Sequence, residues 1–216
     1  MNRTFVFVAT AAALVVAFVV GAILYRSARL EQQGAAAGAN AEVFSRAHAP
    51  TLGSPQAKVV VVEFLDPACG TCAQFYPHVK ALVRDNEGRV RVVIRHIPLH
   101  PGAGDVARAL EASRKQGRYW QTLEALLSSQ DRWVENHVAS IERAWPVLAE
   151  SGLNVDQLKA DMNDPEVARN LQADAADAKA LNVTMTPEYF VNGRPLPSFG
   201  LEQLRALVAQ AVRDAY

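Results

Sequence analysis

The chain has 216 residues, with 22 basic and 22 acidic side chains and a formal net charge of zero, so nothing in its electrostatics argues for a nucleic-acid partner. About 165 residues follow the apolar N-terminal stretch, enough for one hydrophobic core. Only two cysteines occur, too few for a structural disulfide framework, and a domain of this size does not need one.

In chain order, Thr4 to Leu24 is 21 residues without a charge. As a helix it spans about 31 Å, the thickness of bilayer hydrocarbon. Two readings compete here: an uncleaved transmembrane anchor over residues 1–25, and a cleavable signal peptide with Ala39-Asn40-Ala41 as its small-x-small site. That site stands far beyond the apolar run, with Tyr25-Arg26 to Glu31 intervening, which favours the anchor. Arg3 and the amino terminus oppose Arg26 and Arg29, so loop charge is nearly balanced and gives no clear orientation. Residues 26–50 are rich in Ala, Gly and Gln with few bulky apolar side chains, and are expected to form a flexible spacer. Within them, Glu42 to His48 is compatible with a short helix or an edge element. A single domain is expected over residues 51–216.

Val59 to Leu65, VVVVEFL, is the short β-branched block expected of a strand buried on both faces. Cys69-Gly70-Thr71-Cys72 follows, and Ala73 to Val83 reads as a helix. A Cys-x-x-Cys at a strand–helix junction puts its first sulfur at a helix N-terminus, where unpaired N–H groups and the dipole favour an anion. Lowering a thiol pKa from ~8.5 to about 5.5 raises the thiolate at pH 7 from roughly 3% to roughly 97%, partly offset by weaker intrinsic nucleophilicity. Cys69 is therefore the candidate attacking sulfur, and Cys72 the resolving thiol. Asp85-Asn86-Glu87-Gly88 supplies turn chemistry, and Val90 to Ile97 alternates as a strand, expected to lie parallel to the first through a right-handed crossover.

From Gly104 to Leu181 the pattern becomes helical. Val106, Ala109 and Leu110 mark one helix, Trp120, Leu123, Leu126 and Leu127 a second, and Val138, Ile141, Trp145 and Leu148 a third. Val155 to Met162 and Pro165 to Leu181 complete the block, with Asp164 as a cap and Pro165 at the first helical position.

Several spacings together resemble the thioredoxin superfamily, and within it the DsbA-like branch, over about residues 50–212. Glu63 lies six residues before Cys69 and Pro77 five after Cys72. Thr186-Pro187 is followed by Tyr189-Phe190-Val191-Asn192-Gly193, similar to the family's cis-proline, strand and hairpin. Gly53 to Ala57 and Arg95-His96-Ile97-Pro98-Leu99 are also similar to that branch. The resemblance implies an α/β thioredoxin fold with a helical domain, about residues 104–181, inserted between the second strand and the cis-Pro strand. It implies a buried Glu63 relaying a proton for Cys72, and Thr186 and Pro187 binding an extended peptide through backbone groups.

The same resemblance implies a thiol:disulfide oxidoreductase acting on protein thiols and disulfides, with no cofactor and no metal. A membrane or periplasmic redox partner is expected, together with attachment of a monomer to the bacterial inner membrane by a single pass, its catalytic domain on the periplasmic side. Gly70-Thr71 lacks the histidine of strongly oxidising members, so one thiolate stabiliser is missing and the direction of electron flow stays open. Thr71 either offers its hydroxyl to the Cys69 thiolate or only fills the turn. Glu188 departs from the residue usual after the cis-proline, and either disfavours acidic substrates or raises the Cys69 pKa. His96 and His100 are expected to be hydrogen-bonded structural histidines, and His78, Trp120, Trp133 and Trp145 packing or surface residues.

Two further functions stand beside this one. Cys69 and Cys72 could hold Cu(I) as two thiolates, although no second Cys-x-x-Cys or clustered histidine pair is present to close a zinc site. A tethered peptide-binding module with incidental cysteines is the other.

Overall fold

A computed structural model describes residues 3–39 and 41–216. Helix α1, Arg3–Ala39, carries the apolar run and continues well past it. It is long and apolar enough to cross a membrane by length and composition. The expected flexible spacer is corrected here: residues 26–39 are helical, and Gln33 and Ala37 are buried against the domain. Alanine and glutamine are strong helix formers, and a neighbouring surface to pack on supplies the stability that an isolated short helix lacks. A 3₁₀ turn at Ala41–Ser45 leads into the domain. The small-x-small site includes Asn40, which lies outside the described residues.

Strand β1 is Thr51–Gly53, β2 is Val59–Leu65, helix α2 is Gly70–Asp85, and β3 is Val90–His96. β2 pairs parallel with β3, as expected, while the short β1 adds antiparallel to β3 and has no counterpart in the sequence reading. Strand β6, Glu188–Val191, pairs antiparallel with β2, and β7, Arg194–Pro195, pairs antiparallel with β6. The resulting sheet has the order β1-β3-β2-β6-β7.

β2 lies at its centre and is buried on both faces, which accounts for the unbroken apolar run. Alternate residues point oppositely. Val59, Val61 and Leu65 join the larger core with α2 and the helical block, whereas Val62 and Phe64 join a smaller core with Val43, Phe190 and Leu181. Glu63 shares the parity of Val61 and Leu65, so the one acid in the strand points toward the larger core, the side of Cys72.

Between β3 and β6 lie α3 (Ala103–Ala112), α4 (Tyr119–Ser128), α5 (Gln130–Trp133), α6 (Ile141–Glu150), α7 (Val155–Asp161) and α8 (Pro165–Ala180). This is the helical insertion in the expected place. Val138 is the exception to the third-helix pattern. It belongs to a two-stranded hairpin, Val134–Glu135 (β4) with Val138–Ala139 (β5), and Ser140 caps α6 by accepting from Arg143 N–H. Asn136 and His137 form the turn with positive φ, a position that lets a four-residue strand pattern pass for the start of a helix. At α8, Asp164 Oδ1 accepts from Glu166 N–H at 2.7 Å and Pro165 opens the helix, as expected. Helix α9, Leu201–Ala215, closes the fold against β2, β6 and α2.

Candidate active site

The loop from β2 to α2 is held by its main chain. Buried Asp66 accepts from Ala68 N–H at 2.8 Å, from Leu99 N–H at 2.7 Å and from His100 N–H at 2.8 Å. His100 Nδ1 also lies 2.7 Å from the same carboxylate. From the helical insertion, Gln130 Nε2 donates to the carbonyls of Pro67 (2.7 Å) and Cys69 (3.1 Å). Neither Asp66 nor Gln130 is singled out by the sequence reading. Asp66-Pro67 directly after a strand is a turn signal that points to the first. Gln130 carries no local signal, because its partners are more than sixty residues away in sequence.

Cys69 is the N-cap of α2 with extended backbone, and its Sγ accepts from Cys72 N–H at 3.4 Å. Both cysteines are free thiols. The neutral Cys69 thiol donates to the Thr186 carbonyl at 3.2 Å. Its pKa is lowered to about 5, first by the hydrogen bond from the Cys72 thiol and then, against the opposing effect of burial, by the Thr186 side chain and by the N–H groups of Cys72 and Thr71. The contribution of Thr71 thus comes from its backbone. Cys72 is fully buried, and its pKa goes the other way: burial raises it well above the ordinary thiol value, reinforced by its hydrogen bond to Cys69 and by the charges of Glu63 and Cys69. One sulfur is poised as a thiolate and its neighbour is kept as a thiol.

Glu63 is completely buried and accepts from the Tyr189 hydroxyl at 3.1 Å. Burial raises its pKa to about 8, Tyr189 lowers it, and the charge on Cys69 raises it further. Among the described residues, Glu63 Oε2 has no hydrogen-bond partner. The carboxyl is therefore mostly protonated at neutral pH and sits where it acts electrostatically on Cys72.

The Thr186–Pro187 bond is cis, and the Thr186 carbonyl stands over Cys69. Glu63, Cys69, Cys72, Thr186 and Pro187 are thus brought together with Gly70 and Thr71 from residues as far as 124 apart in the chain. Glu188, next to Pro187, turns its carboxylate to α1: Oε1 accepts from Gln33 at 2.7 Å and Oε2 from Arg29 at 3.2 Å. Burial raises its pKa while Gln33 and Arg29 hold it down. His96 lies buried against the Tyr119 hydroxyl at 3.0 Å, and Trp133 is a core residue. Among the described residues, no group of three or more His, Cys, Asp or Glu is placed to hold a metal ion.

Comparison with known proteins agrees with this fold. A family described as Thioredoxin matches residues 45–210. A thioredoxin-like oxidoreductase from Silicibacter pomeroyi DSS-3 is 32% identical, with a TM-score of 0.70 over 82% of this chain and 99% of that one. The thiol-disulfide exchange protein alpha-DsbA2 from Wolbachia pipientis shares the fold at 20% identity and a TM-score of 0.71, covering 85% of this chain and 97% of that one. Among curated proteins, a Na(+)/H(+) antiporter NhaA of Herminiimonas arsenicoxydans is 33% identical over 147 residues, which is 67% of this chain and 22% of that protein. The chain therefore spans less than a quarter of the length of that relative.

Proposed function

The chain belongs to the thioredoxin family by its match over residues 45–210, and we propose that it is a membrane-tethered thiol:disulfide oxidoreductase of secreted or membrane-associated proteins, with Cys69 forming the mixed disulfide. The observation that carries this is the opposed tuning of two sulfurs one helical turn apart. Cys69 is poised as a thiolate with a pKa of about 5, beside a buried Cys72 held as a thiol. At neutral pH that leaves one nucleophile ready and the other in reserve.

In the reducing direction, the Cys69 thiolate attacks one sulfur of a substrate disulfide. The substrate S–S bond breaks, its other sulfur leaves as a thiolate, and Cys69 becomes joined to the substrate. Cys72 then loses its proton and attacks Cys69 Sγ, forming the Cys69–Cys72 disulfide and expelling the second substrate thiolate. The substrate gains two electrons and the dithiol loses them; the reverse sequence oxidises a substrate dithiol.

Glu63 is the acceptor for the Cys72 proton. Once Cys69 is in the mixed disulfide its negative charge is gone, and one of the influences raising the Glu63 pKa goes with it. The carboxylate becomes more populated at the step that needs a base. The Thr186 backbone, beside Cys69, supports pairing with an extended peptide segment. The apolar part of α1 serves as the anchor, with the domain on the extracytoplasmic side, where disulfide exchange has substrates.

Equilibration of the protein against glutathione tests this reading. About 30 mV corresponds to a tenfold change in the exchange equilibrium. A potential well above the glutathione couple marks an oxidase, and one near a cytosolic thioredoxin marks a reductase. Absence of exchange rules the reading out and leaves a peptide-binding module, and exchange that survives Cys69→Ser removes Cys69 from the role of attacking sulfur.

A further inference from the structure

Helix α1 does more than lead to the domain. Beside Pro187 lies a cleft of about 220 Å³ with one wall made by α1, through Arg26, Leu30 and Gln33, and the other by the Pro187 loop and Phe199. Pro187 belongs both to this cleft and to the cysteine site, since the neighbouring Thr186 carbonyl is 3.2 Å from Cys69 Sγ. The wall is fastened: Arg29 donates to Glu188 and to Thr184, and Gln33 donates to Glu188. At its mouth the large apolar side chains Met185 and Phe199 are exposed.

The helix also fixes how far this cleft stands from the apolar span. Arg26 and Gln33 are two and nine residues past Leu24, or roughly 3 and 14 Å along the axis at 1.5 Å per residue. An extended chain advances about 3.4 Å per residue, so a strand leaving a membrane reaches the whole cleft within roughly its first four residues. A flexible spacer would impose no such limit.

We propose that α1 is one wall of the substrate site, and that the partner it fits is an extended, cysteine-bearing segment of an integral-membrane protein, its cysteine within about four residues of that protein's own span. This rests on the exchange chemistry and anchoring proposed above. The apolar mouth takes an apolar side chain next to the reacting cysteine. Binding energy comes from a strand laid against the Thr186 backbone on one side and against α1 on the other.

The test uses the full chain, reduced, in phospholipid vesicles. The probes are single-pass peptides with one cysteine blocked as a mixed disulfide with thionitrobenzoate, placed at a range of positions from about two to fifteen residues beyond the span. Attack by Cys69 on the peptide sulfur releases thionitrobenzoate, which is followed by absorbance. Release from positions within about four residues is expected to be at least tenfold faster than from the farthest.

A seven-residue polar helical insertion between Leu24 and Tyr25 adds two turns, about 10 Å, and keeps the helix face. It is expected to move the optimum outward by about three residues. Equal rates at all positions, or an optimum that stays put in the insertion variant, overturns the proposal. The mixed disulfide of glutathione with thionitrobenzoate separates the two readings: no release from it means that the oxidoreductase assignment has failed, and the proposal with it.

Discussion

Tyr189 donates its hydroxyl to Glu63 Oε1 at 3.1 Å, and the two residues are also direct Cα partners in the β2–β6 ladder. Strand pairing alone therefore delivers the tyrosine to the one acid in the core strand. The bond satisfies one carboxyl oxygen and leaves Oε2 without a partner among the described residues. The pKa of Glu63 rises from 4.5 to about 8 on folding, so the fold favours the protonated acid. Its contribution is fully present below pH 4.5 and is lost as pH rises through 8. Wild type is expected to lose stability relative to Glu63→Gln across that window, by an amount of order 4 to 5 kcal/mol at about 1.4 kcal/mol per unit. Urea unfolding of both proteins across the pH range measures it; a difference that does not vary with pH would contradict the buried acid. Tyr189→Phe removes the remaining partner and is expected to cost about 1–3 kcal/mol.

The thiols separate by pH. Iodoacetamide should modify Cys69 with a midpoint near pH 5, while Cys72 stays unreactive through neutrality because burial and its neighbours raise its pKa. Cys72→Ala removes the largest influence lowering the Cys69 pKa, and the midpoint is expected to move up. A depressed folded pKa also stabilises the reduced protein above the ordinary thiol pKa, and that stabilisation is lost as pH falls to about 5. The stability advantage of reduced wild type over Cys69→Ser should accordingly grow from pH 5 to pH 9. Mass spectrometry after timed alkylation reads the first effect and thermal unfolding the second.

Arg95 is fully buried and joins three segments. Its Nε donates to Asp174 at 2.6 Å, its Nη1 to the Val43 carbonyl at 2.6 Å, and its Nη2 to Asp177. Burial pushes Asp174 and Asp177 up, but His48 at the first, Arg46 at the second, and Arg95 at both hold them below the ordinary carboxylate range. Arg95→Met removes the buried cation shared by two carboxylates and leaves Asp174 to His48 and Asp177 to Arg46, and the expected cost at pH 7 is at most about 3–5 kcal/mol, or roughly 10 °C in Tm. Because the folded pKa values are depressed, the stabilisation is present above about 4 and fades on acidification. The gap between variant and wild type should narrow at pH 3. An equal Tm difference at pH 7 and pH 3 would contradict the ionic role.

Gln130→Leu tests the link between insertion and active-site loop. It removes donors to the Pro67 and Cys69 carbonyls. The expected loss is about 1–3 kcal/mol, with faster hydrogen exchange in residues 66–72 than elsewhere in the domain. Uniform exchange rates across the domain would show that the contact is incidental.

Much of this was legible in the sequence because it is written locally. The apolar run of β2, the alternation of β3, the Asp164-Pro165 start of α8 and the Cys-x-x-Cys at a helix N-terminus each depend on neighbours within a few residues. The illegible parts depend on contacts made at a distance. Residues 26–39 lack the bulky apolar pattern that marks a buried helix, yet they fold as one because Gln33 and Arg29 meet Glu188 more than 150 residues on. Val138 fits a helical spacing, but the positive φ at Asn136 and His137 closes a hairpin instead. The carboxylate of Glu188 reads as a neighbour of the cysteines until its partners on α1 are known.

The grip on the Cys69 loop is blind to most of the side chains it holds. Asp66 and Gln130 take the N–H groups of Ala68, Leu99 and His100 and the carbonyls of Pro67 and Cys69, and any residue other than proline offers both kinds of group. Gly70 and Thr71 are held by none of these bonds. The dipeptide between the sulfurs is therefore an exchangeable cassette: its side chains can be rewritten while the bonds that aim Cys69 stay as they are.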